Sequence, residues 1–339
     1  MKENPIIELK KLGFQWETYN PFLFCVHHKD RYPKGNGKLG PASSLAGRRL
    51  GHDFTLKDGW RMYHGREVPG FPQHPHRGFE TITIVLEGLV DHADSLGASG
   101  RYGHGDVQWM TAGAGIQHCE MFPVVYEDRE NPLELFQVWL NLPAKDKFVD
   151  PYYKMLWADD IPVLREENNR GRSTEITVIA GSLGDATPPG PNPDSWAANP
   201  DNEVAIWLIR MEPEATWEIP AASKDLVRSI YFHRGSEIRI AGREISLMNA
   251  AGLHPDTAVK IENGREYGHI LLLQGRPIDE TVVQYGPFVM NSREEIQQAF
   301  DDYNSTLFGG WPWPESGQTH GPDPGRFAKY ADGTIEKKG

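Results

Sequence analysis

The sequence predicts an all-β protein in which two domains each fold as a β-sandwich or β-barrel. Glycine (35) and proline (26) are abundant and scattered. They separate short runs rich in Val, Ile, Thr, Trp and Tyr, which is the pattern of strands divided by turns. The length of 339 residues is roughly twice that of a usual single domain. Clear strand candidates are ETITIVL (80–86), DVQWMTA (106–112), LFQVWLNL (135–142), TEITVIAG (174–181) and YGHILLLQG (267–275).

The domain boundary is predicted in the polar, aperiodic segment around residues 158–173. We assign residues 1–165 to an N-terminal domain and residues 166–305 to a C-terminal domain. The run SLGDATPPGPNPDSWAANPDNE at 182–203 is dense in Pro, Gly, Asn and Asp, so it predicts a long loop near the start of the second domain. Residues 306–339 are predicted to form a tail too rich in Pro and Gly for regular structure.

One short C-terminal helix is predicted at SREEIQQAFDDYN, residues 292–304. Ser292 and Glu295 have the spacing of a capping box. Ile296 and Phe300 fall on one helical face. We interpret this segment as a packing helix that closes the C-terminal domain.

Charge and composition exclude several classes of partner. A formal net charge of -12 argues against direct nucleic-acid binding, because phosphate contacts need concentrated Lys and Arg. The apolar runs are far shorter than the roughly 20 residues needed to cross a bilayer, so no membrane association is expected. The first 20 residues lack the apolar core of a secretory signal. With only Cys25 and Cys119, a disulfide framework is not expected, and the predicted location is the cytoplasm.

Two histidines flank a proline in GFPQHPHRGFET, residues 70–81. Alternation along a strand sends residues i and i+2 to one face, so His74 and His76 can present two imidazoles to one point. Pro75 donates no backbone hydrogen bond, which places the pair at a sheet edge or at an irregular entry to a sheet.

A second pair completes the pattern in GAGIQHCEMF, where His118 and Glu120 again stand two residues apart. If the two segments lie side by side, three neutral nitrogens and one carboxylate converge. That set suits a divalent first-row metal ion with one or two coordination positions left for water, substrate or dioxygen.

The segments that contain these residues resemble a known family. The segments HPHRGFETITIVLEG, GDVQWMTAGAGIQHCE and GPFVMNSREEIQQAFDDYN resemble the pirins, a bicupin branch of the cupin superfamily, and the resemblance covers most of the chain from about residue 20. It implies two cupin-type antiparallel β-barrels packed together, with one metal ion in the N-terminal barrel. The pirin metal ligands fall on His74, His76, His118 and Glu120. The pirin metal is usually taken to be iron, as Fe(II), although nitrogen and oxygen ligands also accept Mn, Ni, Co, Cu or Zn.

The carboxylate ligand has an alternative. Ordinary cupins take it from the first motif, where Glu80 is the candidate, whereas pirins offer Glu120 in the second. Gly78 can bulge the intervening strand, so alternation alone does not exclude Glu80. The second barrel contains neither an HxH nor an HxE pair, so a single metal ion is expected.

Several further residues receive a structural interpretation. Cys119 lies between two ligand candidates, and alternation points it away from them as a buried thiol. Gly113 and Gly115 are expected to form the tight turn that precedes His118. His64 and His92 could line the cavity mouth or be solvated, and the sequence does not separate these alternatives. His27 and His28 are interpreted as an exposed pair near a turn.

The resemblance also implies an activity. Several pirins are described as quercetin 2,3-dioxygenases, which open a flavonol or a similar enol with O2, and here Glu120 would accept the substrate proton. The alternative is a metal- or redox-sensing regulatory protein that acts through a protein partner. A sugar isomerase, known from other cupins, needs several basic residues for a phosphate, and only Arg77 and Arg101 lie near the motifs.

Overall fold

The computed structural model describes residues 4–338, and nearly all of the regular structure within them is β-strand. The all-β prediction is therefore confirmed. Over the same range, no helix is long and apolar enough to span a bilayer. The strands are β1 (Ile6–Lys11), β2 (Gln15–Trp16), β3 (Phe22–Tyr32), β4 (Gly70–His76), β5 (Phe79–Glu87), β6 (Leu89–Asp94), β7 (Ser99–Gly103), β8 (Val107–Thr111), β9 (Ile116–Met121), β10 (Asn131–Asn141), β11 (Tyr152–Leu156), β12 (Val163–Glu167), β13 (Ser173–Ala180), β14 (Ala205–Met211), β15 (Thr216–Ile219), β16 (Val227–Arg234), β17 (Glu237–Ile240), β18 (Arg243–Ser246), β19 (Asn249–Leu253), β20 (Val259–Asn263), β21 (Gly268–Gly275), β22 (Val283–Tyr285), β23 (Phe288–Met290), β24 (Arg326–Lys329) and β25 (Ile335–Lys338).

The chain divides into two compact units. The first unit comprises Val26–Ala158 and the described part of Glu280–Gly339, and the second comprises the described part of Met1–Cys25 and Asp159–Asp279. These limits differ from the predicted domains, because β1 pairs with β19 inside the second unit. Whether residues 1–165 and 166–305 each fold as an independent domain stays a prediction.

The first unit contains two large, facing antiparallel sheets and the two-stranded sheet β22-β23. One has the strand order β11-β8-β5-β10-β3, and the other has the order β25-β24-β7-β6-β9-β4. Side chains from both sheets meet in an apolar core that includes Val85, Val90, Tyr102 and Leu135. The alternation of β-branched and aromatic residues in β5 and β10 supplies one inner face of this sandwich.

The second unit also has two sheets, with the orders β1-β19-β16-β21-β14-β13-β12 and β15-β20-β17-β18. Its interior is filled by a large apolar cluster that includes Trp207, Trp217, Ile230 and Phe232. In both units the hydrogen bonds form separate sheets instead of one closed barrel. The predicted barrels are thus better described as β-sandwiches.

The helix prediction is confirmed. Helix α1 spans Arg293–Thr306, and Ser292 and Glu295 form the reciprocal capping box. Ile296 is buried against Phe288, so α1 packs within the first unit. The sequence instead assigned this helix to the C-terminal domain. The helix ends two residues later than the predicted limit of 304 because Leu307, in the left-handed conformation, provides the C-cap.

The tail is more regular than predicted. Strand β24 lies between β7 and the edge strand β25, so the prediction of no regular structure is wrong there. The two tail tryptophans, Trp311 and Trp313, pack against a small buried cluster around Cys119. Trp313 Nε1 also donates to the Asp94 carbonyl at 2.7 Å. These two tryptophans therefore anchor the tail to the first unit.

Candidate metal centre

Strands β4 and β9 bring the predicted site residues together. The two strands pair antiparallel, and His74 lies directly opposite His118. A register shift falls between Phe71, which pairs with Glu120, and His74. Because side chains alternate along each strand, His76 and Glu120 project from the same face as their histidine neighbours.

The three imidazoles form a compact cluster. The ring centroids of His74 and His118 are 4.4 Å apart, those of His74 and His76 are 4.8 Å apart, and those of His76 and His118 are 5.0 Å apart. One ring nitrogen from each histidine lies within 4.8 Å of the others. Glu120 Oε2 lies 4.0 Å from His118 Nε2, so the carboxylate borders the cluster.

Hydrogen bonds to backbone carbonyls orient two of the rings. His74 Nδ1–H donates to the Pro72 carbonyl at 2.9 Å, and His76 Nδ1–H donates to the Pro287 carbonyl at 3.4 Å. Both bonds leave Nε2 as the unprotonated nitrogen that a metal ion requires. His118 is fully buried, and neither of its ring nitrogens has a hydrogen-bond partner. Buried polar atoms without partners are costly in a folded protein, and a bound cation would satisfy the unprotonated nitrogen of this ring.

The electrostatics keep the imidazoles neutral. Burial lowers the pKa of His74 to about 4. Burial, reinforced by the neighbouring histidines, holds the pKa values of His76 and His118 well below the usual range. Three neutral nitrogens with one adjacent carboxylate are a donor set of the kind that holds a divalent metal ion.

Glu120 is held by residues of the facing sheet. The Thr83 hydroxyl donates to Glu120 Oε1 at 2.8 Å, and Gln137 Nε2 donates to Glu120 Oε2 at 3.2 Å. Burial raises the pKa of this carboxyl, although both hydrogen bonds oppose the shift. Two neutral side chains therefore fix the position of the Glu120 carboxylate, and neither of these hydrogen bonds comes from a cationic side chain.

The alternative carboxylate, Glu80, points away from the cluster. Its Oε1 accepts hydrogen bonds from Trp109 Nε1 at 3.0 Å and from the Thr111 hydroxyl at 2.8 Å. Glu80 and Thr83 project from opposite faces of β5 because they are an odd number of residues apart. Since Thr83 faces Glu120, the Glu80 side chain lies on the other side of the sheet.

Aromatic side chains line one side of the histidine cluster. The ring centroid of His76 is 5.1 Å from that of Phe79 and 5.4 Å from that of Trp139. Phe79 and Trp139 contact each other, with a centroid distance of 4.3 Å. Phe79 is fully buried whereas Trp139 is partly exposed. Phe79 and Trp139 therefore form an apolar surface of two planar rings beside the buried nitrogens, which we call the aromatic wall.

His92 lies beside the histidine cluster and is not solvated, so one of the two alternatives left by the sequence is excluded. It is fully buried, and its ring centroid lies 5.6 Å from that of His118. Gln108 Nε2 donates to its Nδ1 at 2.8 Å, so the proton sits on Nε2, which faces Asp94 Oδ2 at 3.2 Å. His64, in contrast, is exposed and contacts the Gly51 carbonyl.

The expectation for His27 and His28 was wrong. Both lie within strand β3 and not near a turn. His28 is 5% exposed, and its Nδ1 lies 2.9 Å from the Tyr63 hydroxyl. His27 contacts Glu134 at 3.0 Å through Nε2. A doubled histidine in an 11-residue strand has one ring on each face, and both faces of β3 are covered here.

The two arginines near the motifs are already paired. Arg101 is fully buried and binds Asp91, with Nε to Oδ1 at 2.6 Å. Arg77 forms an ion pair with Asp302 of α1 at 2.7 Å and donates to the Ala114 carbonyl. Neither guanidinium is arranged to hold a phosphate. This agrees with the sequence argument against a sugar isomerase.

The turn and the thiol that flank His118 match their predictions. Gly113 and Gly115 adopt φ values of +47° and +136°, and a side chain at Gly115 would come within 2.7 Å of the Phe308 ring. Cys119 is completely buried with Met121 on the far side of β9. Thr83, Gln137 and the aromatic wall were missed, although the polar residues at inward positions of two otherwise apolar strands were a usable signal.

Two sandwich units in one chain, one of them carrying a histidine and glutamate cluster on its inner face, define a bicupin. The family model described as Pirin matches residues 10–140, and that described as Pirin C-terminal cupin domain matches residues 206–309. The chain belongs to the pirin family.

Individual relatives agree with this assignment. A Pseudomonas aeruginosa protein named "Putative quercetin 2,3-dioxygenase" is 37% identical over 243 residues, which cover 70% of this chain and 79% of that protein. Human "Pirin" is 34% identical over 263 residues, covering 76% of this chain and 82% of that protein. The crystal structure of a quercetin 2,3-dioxygenase from Acinetobacter baumannii covers 91% of this chain and 99% of its own, with a TM-score of 0.69 and 24% identity. That last likeness concerns the fold.

Proposed function

We propose that this protein is a metal-dependent dioxygenase of the quercetin 2,3-dioxygenase type, which opens the ring of a flavonol or a similar enol with O2. The observation that carries the proposal is the cluster of three buried, neutral imidazoles beside Glu120, with a planar aromatic wall next to it. The name of the Pseudomonas aeruginosa relative supports the same reaction class. The proposed location is the cytoplasm.

The proposed metal ligands are His74, His76, His118 and Glu120. A bound cation would give the unprotonated nitrogen of His118 a partner that it otherwise lacks in its buried position. We propose Fe(II) as the native ion, while the donor set also accepts Mn, Ni, Co, Cu or Zn. When bound, the ion supplies a Lewis acid that lowers the pKa of an enol hydroxyl.

Glu120 is proposed as the proton acceptor for that hydroxyl. Burial raises the pKa of its carboxyl, which brings its basicity closer to neutral pH, where a general base is most effective. The hydrogen bonds from Thr83 and Gln137 keep its oxygens beside His118. The acceptor is therefore positioned before substrate arrives.

Trp139 is proposed to position the substrate. It is partly exposed, lies beside His76 and is backed by the buried ring of Phe79, and the rings of a flavonol can stack on an aromatic side chain of this kind. The apolar surface of Trp139 and Phe79 also reduces the water around the reacting atoms. Gln137 and Trp139, which are partly exposed, form the accessible side of the site.

The test is an oxygen-uptake assay with a panel of flavonols, run on protein whose metal content is known. Wild-type protein is expected to consume O2 and quercetin together, and His76→Ala is expected to abolish turnover. Glu80→Gln is the matched control, because it changes a buried carboxylate on the opposite face of β5 and should retain turnover. Full turnover by metal-free protein would overturn the proposal. Metal-loaded protein that shows no turnover but recovers a protein partner would favour the regulatory alternative.

A further inference from the structure

A buried arginine marks the end of the apolar interior of the second unit. Arg228 lies on β16, two and four residues before Ile230 and Phe232, which both belong to the core. Alternation places Arg228 on the same inner face as these residues. The residue opposite it on β21 is Gln274. A guanidinium thus replaces an aliphatic side chain on the inner surface of this sandwich.

This guanidinium is incompletely paired. Arg228 is 1% exposed, and its Nε donates to Gln274 Oε1 at 2.7 Å. Its Nη1 has no hydrogen-bond partner. Among residues 4–338, no carboxylate lies within ion-pair distance of Arg228, although such pairs occur at many other arginines. Burying a cation with no carboxylate in contact is expensive, and the more distant charge of Glu203 offsets only part of that cost. The partnerless Nη1 therefore points to a ligand.

A cavity of about 480 Å³ adjoins the arginine. Arg228 and Gln274 form its polar end, and Trp207 and Glu203 also line it. The opposite wall comes from the Pro-rich loop at 182–203 and from the β15–β16 connection. Prolines and alanines make up much of this wall, among them Pro188, Pro200, Pro220 and Ala221.

The loop at 182–203 is held in place, so this cavity is preformed. Two short 3-10 turns, Trp196–Ala198 and Pro200–Asn202, interrupt it. Trp196 Nε1 donates to the Arg276 carbonyl at 2.8 Å, and Asn202 Nδ2 donates to the Trp196 carbonyl at 2.7 Å. A binding site that needs no ordering step loses less affinity to entropy.

We propose that this cavity binds a small organic carboxylate with an apolar body, and that Arg228 receives its carboxylate. The planar carboxylate matches the hydrogen-bonding edge of a guanidinium, and the proline and alanine walls match an aromatic or aliphatic remainder. A phosphate fits less well, because it carries more negative charge than a carboxylate while the cavity offers one arginine and also contains the carboxylate of Glu203. The volume accepts a ligand of the size of a substituted benzoate.

The test is calorimetric titration of the full-length, metal-loaded protein with benzoate, using benzamide and inorganic phosphate as comparison probes. Wild-type protein is expected to bind benzoate and to bind benzamide at least about tenfold more weakly, since benzamide lacks the charge. Arg228→Met is expected to lose one benzoate site per chain. Arg210→Gln is the matched control, because Arg210 lies in the same sheet with a half-exposed side chain paired to Glu175, and its benzoate binding should equal that of wild type.

A second variant keeps the proposal testable if Arg228→Met does not fold. Ala221→Trp places a large side chain at an exposed position of the cavity lining and leaves Arg228 unchanged, and it should also lose the benzoate site. The proposal is overturned if wild type binds no benzoate, if it binds phosphate in preference to benzoate, or if folded Arg228→Met keeps the wild-type number of sites and affinity. Should Arg228→Met fail to fold, unchanged benzoate binding by Ala221→Trp overturns it.

Discussion

His74 and His118 lie opposite each other across the β4–β9 ladder, with ring centroids 4.4 Å apart. This pairing depends on the register shift between Phe71 and His74. The step from Phe71 to His74 is three positions along β4, whereas the opposite step from Glu120 to His118 is two positions along β9. A slip of one residue in either strand would turn its side chains to the opposite face. The cluster is therefore a property of the register as well as of the residue types.

Replacing Thr83 with valine should weaken metal binding by about 10- to 100-fold, the usual effect of losing a hydrogen bond that orients a ligand. The physical reason is that the Thr83 hydroxyl donates to Glu120 Oε1 at 2.8 Å. The measurement is competition for the metal ion against a chelator of known affinity.

Thr81→Val is the matched control for this change. Thr81 is two residues away on the same face of β5 and is also buried, yet its hydroxyl has no hydrogen-bond partner. Its loss should leave metal affinity near the wild-type value. Equal weakening by both valine variants would contradict the orienting role given to Thr83.

Lys147→Met should lower the free energy of unfolding by about 1–3 kcal/mol, because buried acceptors lose their donor. Lys147 is 1% exposed, and its Nζ donates to the Gly78 carbonyl and Asn141 Oδ1 at 2.8 Å each, and to the Val289 carbonyl at 3.1 Å. Chemical denaturation of both proteins measures the difference. Lys145→Met, which changes a largely exposed side chain, should have little effect.

The same pair of proteins has a predicted pH dependence. Burial lowers the pKa of Lys147 from 10.5 to about 8, so between these values the unfolded chain binds more protons than the folded one. The free energy of unfolding of wild type should therefore rise relative to Lys147→Met as the pH increases from 8 to 10.5. A difference that stays constant over this range would contradict the depressed pKa.

Ser292→Ala should destabilise the first unit by about 1 kcal/mol, the typical cost of removing an N-cap. The Ser292 hydroxyl accepts a hydrogen bond from the Glu295 backbone N–H at 3.1 Å, which satisfies a free donor at the start of α1. Thermal or denaturant unfolding measures the change. Ser305→Ala, near the C-terminal end of the helix, serves as a control and should cost less.

Both thiols should be unreactive in the folded protein. Cys25 and Cys119 are 0% exposed. Burial raises the pKa of Cys25 and raises that of Cys119 to about 12, so almost no thiolate is present at neutral pH. A thiol reagent such as Ellman's reagent should titrate neither cysteine in native protein and both in denaturant. Rapid native labelling of Cys119 would contradict its buried position behind Trp311 and Trp313.

The sequence predicts much of this site because side-chain alternation is a local property. The two pairs that flank Pro75 and Cys119 each share a face whatever the rest of the chain does, and the capping box at Ser292 is equally local. The supporting groups are different, because Thr83 and Gln137 reach Glu120 only once the two sheets face each other. That arrangement depends on contacts between distant strands, which periodicity does not encode.

The errors have the same origin. His28 was expected on the surface because doubled histidines are polar, but the Tyr63 hydroxyl provides a buried partner from a distant loop. The segment RSIYFHRG, residues 228–235, does not indicate that Arg228 is buried, since an arginine at the start of a strand is usually solvated. Only the loop at 182–203 and the neighbouring strands make its position an interior one.

The central claim is that His74, His76, His118 and Glu120 together bind one divalent metal ion. Anomalous X-ray diffraction from crystals of metal-loaded protein, recorded on both sides of the metal's absorption edge, tests it most directly. The account predicts one strong peak in the first unit, at bonding distance from a ring nitrogen of each histidine and from a Glu120 oxygen. A metal bound elsewhere, or metal-loaded protein with no peak between these three rings, would contradict it.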